Sequence, residues 1–269
     1  MAAVRIIEPH IHMYARTTDD YERMREAGYV ATIEPAFWSG TDRSCDGSFF
    51  DYFRHILNFE HNRAARFGIA HYSLLGVNAK EARHTDIAFK VIERLEELLA
   101  HENCLGVGEI GFDLITDDEE EVLRRQIRLA EKNDCLVILH SPHTNKRVGI
   151  ERMFKVLEEE GATLHRYIMD HNTEETIEET LSHPDVLCGI TLYPTKVTIE
   201  RAAAMIKSHG ADRIVLNSSA DWGKSYPLHL AEAAKRLPEL GVSQEDTAKV
   251  VYENAKRFFS QSPKFQIEE

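Results

Sequence analysis

The chain has 269 residues, 43% of them hydrophobic and 29% charged, with a formal net charge of −13. This is the composition of an ordinary globular protein large enough for a sizeable core, and no apolar run approaches the roughly 20 residues of a membrane span. The negative charge opposes nonspecific attraction to a phosphate backbone, so nucleic acid is a disfavoured partner unless a local basic groove or bound divalent ions reverse the field near a site.

The N-terminal stretch M-A-A-V-R-I-I-E-P-H enters the first apolar run without a signal core, cleavage site or Arg/Ser-rich leader, which leads us to expect a cytoplasmic protein. From there, short runs rich in Val, Ile and Leu recur at 4–8, 29–33, 68–75, 104–109, 135–139, 167–170, 186–191 and 213–217. Each has the length and composition of a buried parallel strand. Amphipathic stretches at 17–27, 48–66, 85–100, 117–132, 147–161, 173–181, 198–207, 226–237 and 243–259 separate or follow them and read as helices. Thr, Ser or Asp near their starts supplies capping oxygens, and Gly161 and Gly210 close two of them.

Eight strand–helix alternations predict an α/β protein, a single (β/α)8 TIM barrel spanning 1–269 as one domain. A Gly-rich phosphate fingerprint is missing after the first strand, which argues against an open dinucleotide-binding sheet. The stretch 34–47 is long for a strand-to-helix loop and falls on the face where barrel active sites form, so it is expected to shape a pocket. Cys45, Cys104, Cys135 and Cys188 make no C-x-x-C pair, and three lie in or beside apolar runs, as reduced core thiols do.

Chemistry concentrates at the C-terminal strand ends. In V-R-I-I-E-P-H-I-H the period of two sends His10 and His12 the same way, and two imidazoles on one face can share an ion. The same period places Leu105 and Val107 with Glu109, Leu136 and Ile138 with His140, and Tyr167 and Met169 with His171. Asp221 follows the eighth strand. Imidazole nitrogen and carboxylate oxygen are the donors that Zn²⁺ and similar ions favour, and polar groups converging there without a partner would each cost about 1–3 kcal/mol. His143, Asn217, Trp222, Tyr193 and Trp38 follow strands or sit in strand-end loops and are candidate substrate contacts.

These residues bring out a resemblance. P-H-I-H at 9–12, G-E-I-G-F-D at 108–113, His140, His171 and the closing E-N-A-K-R-F-F at 253–259 are similar to the motifs of the TatD-like hydrolases, a family of the metal-dependent amidohydrolase superfamily. The resemblance implies a binuclear metal centre, with His10, His12 and His171 or His140 divided between two divalent ions and Glu109 bridging them. Zinc is the expected ion; Mn, Ni, Fe or Mg are alternatives that N/O donors also accept. Two departures stand out. Glu8 and Pro9 precede H-x-H where the family usually has Asp, and I-V-L-N-S-S-A-D-W-G lacks the family's E-T-D-x-P, so that a gapless match puts Ser219 where a metal-binding Asp belongs. Asp221, two residues on and in the same phase, is the nearby carboxylate expected to fill that role and to take a proton from the attacking water.

The implied activity is metal-assisted hydrolysis of a small ester, lactone, amide or phosphate, with Asp221 and Glu109 as the catalytic carboxylates. Two alternatives are a metal-dependent deoxyribonuclease and a metal-binding barrel that has lost turnover. A small-molecule substrate is the expected partner, with no membrane; a homo-oligomer is left open.

Overall fold

The computed structural model describes residues 4–267. Residues 1–3 and 268–269, the two ends of the expected 1–269 domain and the first part of the segment read for a leader, lie outside the described residues. Eight strands, β1 (Ile6–Glu8), β2 (Tyr29–Pro35), β3 (Ala70–Leu75), β4 (Cys104–Gly111), β5 (Leu136–His140), β6 (Tyr167–Asp170), β7 (Leu187–Thr191) and β8 (Ile214–Asn217), form one parallel sheet in sequential order. Each overlaps an expected apolar run, with no end moved by more than two residues.

The barrel closes beyond the last residues of β8 and β1. Ser219 N–H donates to the His10 carbonyl at 2.8 Å, and His12 N–H donates to the Ala220 carbonyl at 2.9 Å. Glu8 Oε1 reinforces this seam by accepting the N–H groups of Ser218 and His10 at 3.1 and 3.3 Å. Burial pushes the Glu8 carboxyl up to about 8, against the opposing effect of the Ser218 hydrogen bonds.

The helices are α1 (Thr18–Glu26), α2 (Asp46–Arg54), α3 (His61–Ala65), α4 (Thr85–Leu99), α5 (Asp117–Lys132), α6 (Lys146–Glu159), α7 (Ile177–Ser182), α8 (Ile199–His209), α9 (His229–Glu239), α10 (Gln244–Ala248) and α11 (Asn254–Phe259). The local chemistry of α5 shows why such segments are helical. Thr116 Oγ1 accepts Glu119 N–H at 3.2 Å while Glu119 Oε2 accepts Thr116 N–H at 3.0 Å, closing a reciprocal cap. Acidic residues 117–120 sit at the positive end of the helix dipole, Lys132 at the other, and Val122, Leu123, Ile127 and Ala130 form the buried stripe. The stretches expected as single helices at 48–66 and 243–259 each contain a wider π turn, His55–Glu60 and Lys249–Glu253. The first turns the buried Glu60 toward Tyr21, His55 and Arg63.

One apolar cluster draws Ile7, Ile33, Leu74, Leu105, Ile138, Ile168, Leu187 and Val215 from all eight strands, which identifies it as the barrel interior. Phe258, Phe259 and Phe265 belong to the same cluster, and Lys264 Nζ donates to the carbonyls of Leu99 and Cys104 at 2.6 and 3.1 Å. The C-terminal segment therefore covers the end of the barrel where β4 begins. Chemistry is left to the opposite end.

Two strand phases differ from expectation. Leu105 faces the interior, but Val107 packs outward with Val137 and Leu139 under the helices, so the two do not share a face. The reason lies in two register shifts. Ser73 pairs with Cys104 and Leu74 with Gly106, while Gly108 pairs with Ile138 and Ile110 with Leu139; Leu105 and Glu109 are each the extra residue of a bulge. Bulges re-aim side chains beside sites, and this one aims Glu109. In β6, Tyr167 and Met169 pack outward and Ile168 inward. His171 reaches the site because it follows the strand in the left-handed region, at φ 60°, and not by strand phase. In β5 the expected phase is found: Leu136 and Ile138 face inward with His140 beyond them.

Gly106 is where the β4 backbone comes nearest β5. A Cβ there would lie 2.0 Å from the Leu136 carbonyl oxygen, and φ is +158°. Gly106→Ala is expected to lower stability by about 3 kcal/mol, read as a drop in the urea midpoint. An unchanged midpoint would refute the close approach.

Candidate metal centre

His10 and His12 stand on the segment after β1, and their Nε2 atoms lie 3.1 Å apart. Glu109, from the bulge in β4, points its carboxylate at them and at two further rings. His10 Nε2 is 3.5 Å from Oε2, His140 Nδ1 is 2.9 Å from Oε2, and His171 Nε2 is 3.3 Å from Oε2. His12 Nε2 lies 4.0 Å from Oε1. All five side chains are buried.

Two groups of potential ligand atoms result, each within 4.8 Å: His10, His12 and Glu109, and Glu109, His140 and His171. Glu109 is common to both. A third group, His10, Asp170 and His171, lies behind them. There Asp170 Oδ2 accepts His10 Nδ1–H at 2.5 Å, and its Oδ1 accepts His171 N–H at 2.7 Å and Asn217 Nδ2–H at 2.8 Å. With Nδ1–H held in that hydrogen bond, His10 turns its Nε2 lone pair into the cluster. His171 Nδ1 lies 2.6 Å from Thr191 Oγ1, a contact that anchors the ring with Nε2 turned to the cluster.

The charge states favour cation binding. Burial pushes the His12 ring down to about 3 and His171 well below its ordinary value, so both are neutral at neutral pH. Burial alone would raise Glu109, but the imidazoles of His140 and His10 outweigh it and hold the carboxyl well below the usual range. An ionised carboxylate ringed by imidazole nitrogens is a donor set for divalent ions. The fit is sharpened by nitrogen pairs at 3.1 Å, His10 with His12 and His140 with His171, whose facing lone pairs repel unless a proton or cation lies between them. His12 Nδ1 and His140 Nε2 are buried with no hydrogen-bond partner.

The eighth-strand residues divide. Asp221 borders the same cleft, yet its Oδ1 accepts Tyr193 O–H at 3.1 Å and Gly223 N–H at 2.7 Å, and among the described residues it joins none of the ligand groups. Ser219, at φ 43°, also borders the cleft. The expectation that Asp221 completes the ligand shell is therefore not matched by the geometry, because the turn 221–225 folds its carboxylate back on the loop.

The cleft over the cluster measures about 220 Å³. Trp38, Trp222 and His143 line it as expected; Asn217 and Tyr193 do not, since Asn217 holds Asp170 and Tyr193 holds Asp221. The loop 34–47 contributes Phe37 and Trp38, and Phe37 stacks on His12 with centroids 3.9 Å apart. Residues missed from sequence are Asp170, Thr191, Asn78, Lys80 and Lys196. Asn78 Nδ2–H donates to Glu109 Oε1 at 3.0 Å, and Lys196 Nζ lies 3.2 Å from His171 Nδ1. Asp170 alone left a signal: it shares the phase of the inward Ile168 in Y-I-M-D.

Fold and site together define a metal-dependent hydrolase built on a (β/α)8 barrel. The chain belongs to the TatD related DNase family, whose model matches residues 7–260. It is similar to an uncharacterised metal-dependent hydrolase of Methanocaldococcus jannaschii, 28% identical over 256 residues that cover 94% of this chain and 99% of the relative. Among solved structures it resembles the TatD-like protein of Archaeoglobus fulgidus, at TM-score 0.77 and 26% identity, over 94% of this chain and 99% of that one. The phosphotriesterase homology protein of Escherichia coli shares the fold alone, at TM-score 0.69 and 15% identity, over 96% and 100% of the two chains.

Asp170→Asn removes the acceptor that sets the His10 tautomer. Divalent-ion affinity, measured by competition with a chromogenic chelator, is expected to fall about 10- to 100-fold while far-UV dichroism is unchanged. Equal affinity would show that His10 does not depend on Asp170.

Proposed function

We propose that this protein hydrolyses a small ester, lactone, amide or phosphate bond with two divalent ions. The observation that carries the reading is the single carboxylate of Glu109, shared between two separate sets of imidazoles. On this reading His10, His12 and Glu109 hold one ion and Glu109, His140 and His171 the other, with zinc the first choice and Mn, Ni, Fe or Mg as alternatives. Ions so held lower the pKa of water and polarise the bond under attack.

The chain's own groups do the rest. Asp170 and Thr191 keep the rings turned inward, and Asn78 keeps Glu109 aimed. The carboxylates lining the cleft are those of Glu109 and Asp221. Glu109 is engaged by imidazoles, so Asp221 is the group we assign to take a proton from water and return it to the leaving group. Tyr193 and Gly223 hold it in place at the wall. A reducing compartment such as the cytoplasm suits the four free cysteines, three of them buried. No helix among the described residues is long and apolar enough to cross a membrane.

Protein purified without chelator is expected to contain about two divalent ions per chain by elemental analysis, and His10→Ala/His12→Ala fewer. Hydrolysis of a panel of small esters, lactones and phosphates should be lost in chelator and restored by metal. Absence of metal at every stage of purification would defeat the reading, and steeply salt-dependent cleavage of single-stranded DNA in place of the panel would favour the deoxyribonuclease. Asp221→Asn is expected to lower kcat about 100-fold or more with metal content unchanged. Full activity in that variant would remove Asp221 from the chemistry; a wild type that binds metal but turns over nothing would favour the inactive barrel.

A further inference from the structure

The geometry points to a substrate that carries a small anionic group, phosphate or carboxylate, beside a flat ring: Lys80 and Lys196 take the anion and Trp38 and Trp222 cover the ring. This deepens the hydrolase reading and rests on it for the identity of the site.

Lys80 follows β3 and Lys196 follows β7, strands on opposite sides of an eight-stranded barrel, yet both line the one cleft above the Glu109 cluster. Both backbones are fixed. Lys80 sits in a single 3₁₀ turn, Ala79–Glu81, whose cap Asn78 accepts its N–H at 3.1 Å. Lys196 closes a turn in which its N–H donates to the Tyr193 carbonyl at 2.9 Å, and Leu192 bridges Val197 beside it. Both side chains are partly buried, and among the described residues neither ammonium has a carboxylate oxygen within 4.0 Å. Lys80 Nζ lies 5.0 Å from the Trp38 ring centroid, and Lys196 Nζ lies 3.2 Å from His171 Nδ1 and 5.6 Å from the Tyr193 ring centroid. The cleft's own carboxylates are engaged elsewhere, as described above. Two ammonium groups with no carboxylate in ion-pair contact, in a chain of net charge −13, leave a place for an anion from outside.

The neighbouring wall suits a ring. Trp222 lies 5.1 Å from Phe37 and 6.0 Å from Trp38, and Phe37 rests on His12. Trp222 is 49% exposed at the mouth, a large apolar face left in water. A volume of about 220 Å³ accommodates a single-ring compound. The groove continuing past Lys196 adds Lys146, whose Nζ donates to Ser141 Oγ, but Arg201 there is paired with Glu174 and Glu175 also lines it, so the basic groups do not form a continuous track for a polymer. A small molecule is favoured over a nucleic-acid strand.

The chain's only two tryptophans both border this cleft, so their fluorescence reports on it directly. Metal-free wild type, stripped with chelator and held at low salt near neutral pH, where benzoate is ionised and phenol is not, is titrated with phenyl phosphate, benzoate and phenol. At least one of the two anions is expected to give a saturable change at concentrations about tenfold or more below those needed for phenol, and which one does so separates phosphate from carboxylate. Lys80→Met and Lys196→Met should each weaken that binding about tenfold or more, with Lys196→Arg retaining most of it and dichroism confirming the fold of all three. The proposal is overturned by equal binding of anions and phenol, by lysine variants that bind as wild type does, or by a single-stranded oligonucleotide that binds more tightly than either small anion. Because no metal or turnover is involved, a protein that binds the anion but hydrolyses nothing would count against the hydrolase reading alone.

Discussion

Four imidazoles and one carboxylate packed within a few ångströms of each other, out of water, can serve a cation only if each is turned the right way. That requirement shapes the upper end of this barrel. Asp170 fixes His10 from behind, Thr191 fixes His171, Asn78 steadies Glu109, and Asn217 in turn steadies Asp170. The supporting residues come from β6, β7, β8 and the loop after β3, so the site depends on the closed arrangement of the whole sheet. The seam between β8 and β1 matters for the same reason. Its hydrogen bonds run through His10, His12 and Ser219, and any opening there would displace two of the rings.

Much of this was legible in the amino-acid order, for a physical reason. Buried parallel strands are apolar on both faces, so eight runs of Val, Ile and Leu stand out, and a polar residue at the end of such a run is conspicuous. His140 follows that logic fully, with Leu136 and Ile138 beneath it. Glu109 and His171 also close apolar runs, but period two does not set their direction. A bulge in β4 and a left-handed residue after β6 do the aiming, and neither can be seen in a pattern of polar and apolar letters. Asp170 escaped notice because the same mistaken phase turned it outward. Lys80 and Lys196 left no signal, since a lysine in a loop reads as solvated until the loop is folded over a cleft.

The eighth strand carries one of the two departures from the family's expected motifs. Ser219 adopts φ 43°, a conformation that Asp and Asn tolerate better than most residues, so the backbone does not forbid the carboxylate that relatives are expected to carry there. What differs is the charge of the site. With Ser219 in the wall and Asp221 folded back onto Tyr193, the cleft is less acidic than a carboxylate at 219 would make it, and Lys196 stands on the side where β7 meets β8. A barrel mouth altered in this way accommodates a more negative guest beside the same imidazoles.

Asn78 joins two parts of the molecule that would otherwise be independent. Its Oδ1 caps the turn that carries Lys80, and its Nδ2 holds Glu109. The loop that meets the guest and the carboxylate at the centre therefore hang from opposite ends of one amide. A movement of that loop that kept both hydrogen bonds would carry the Glu109 carboxylate with it, a linkage only one side chain long.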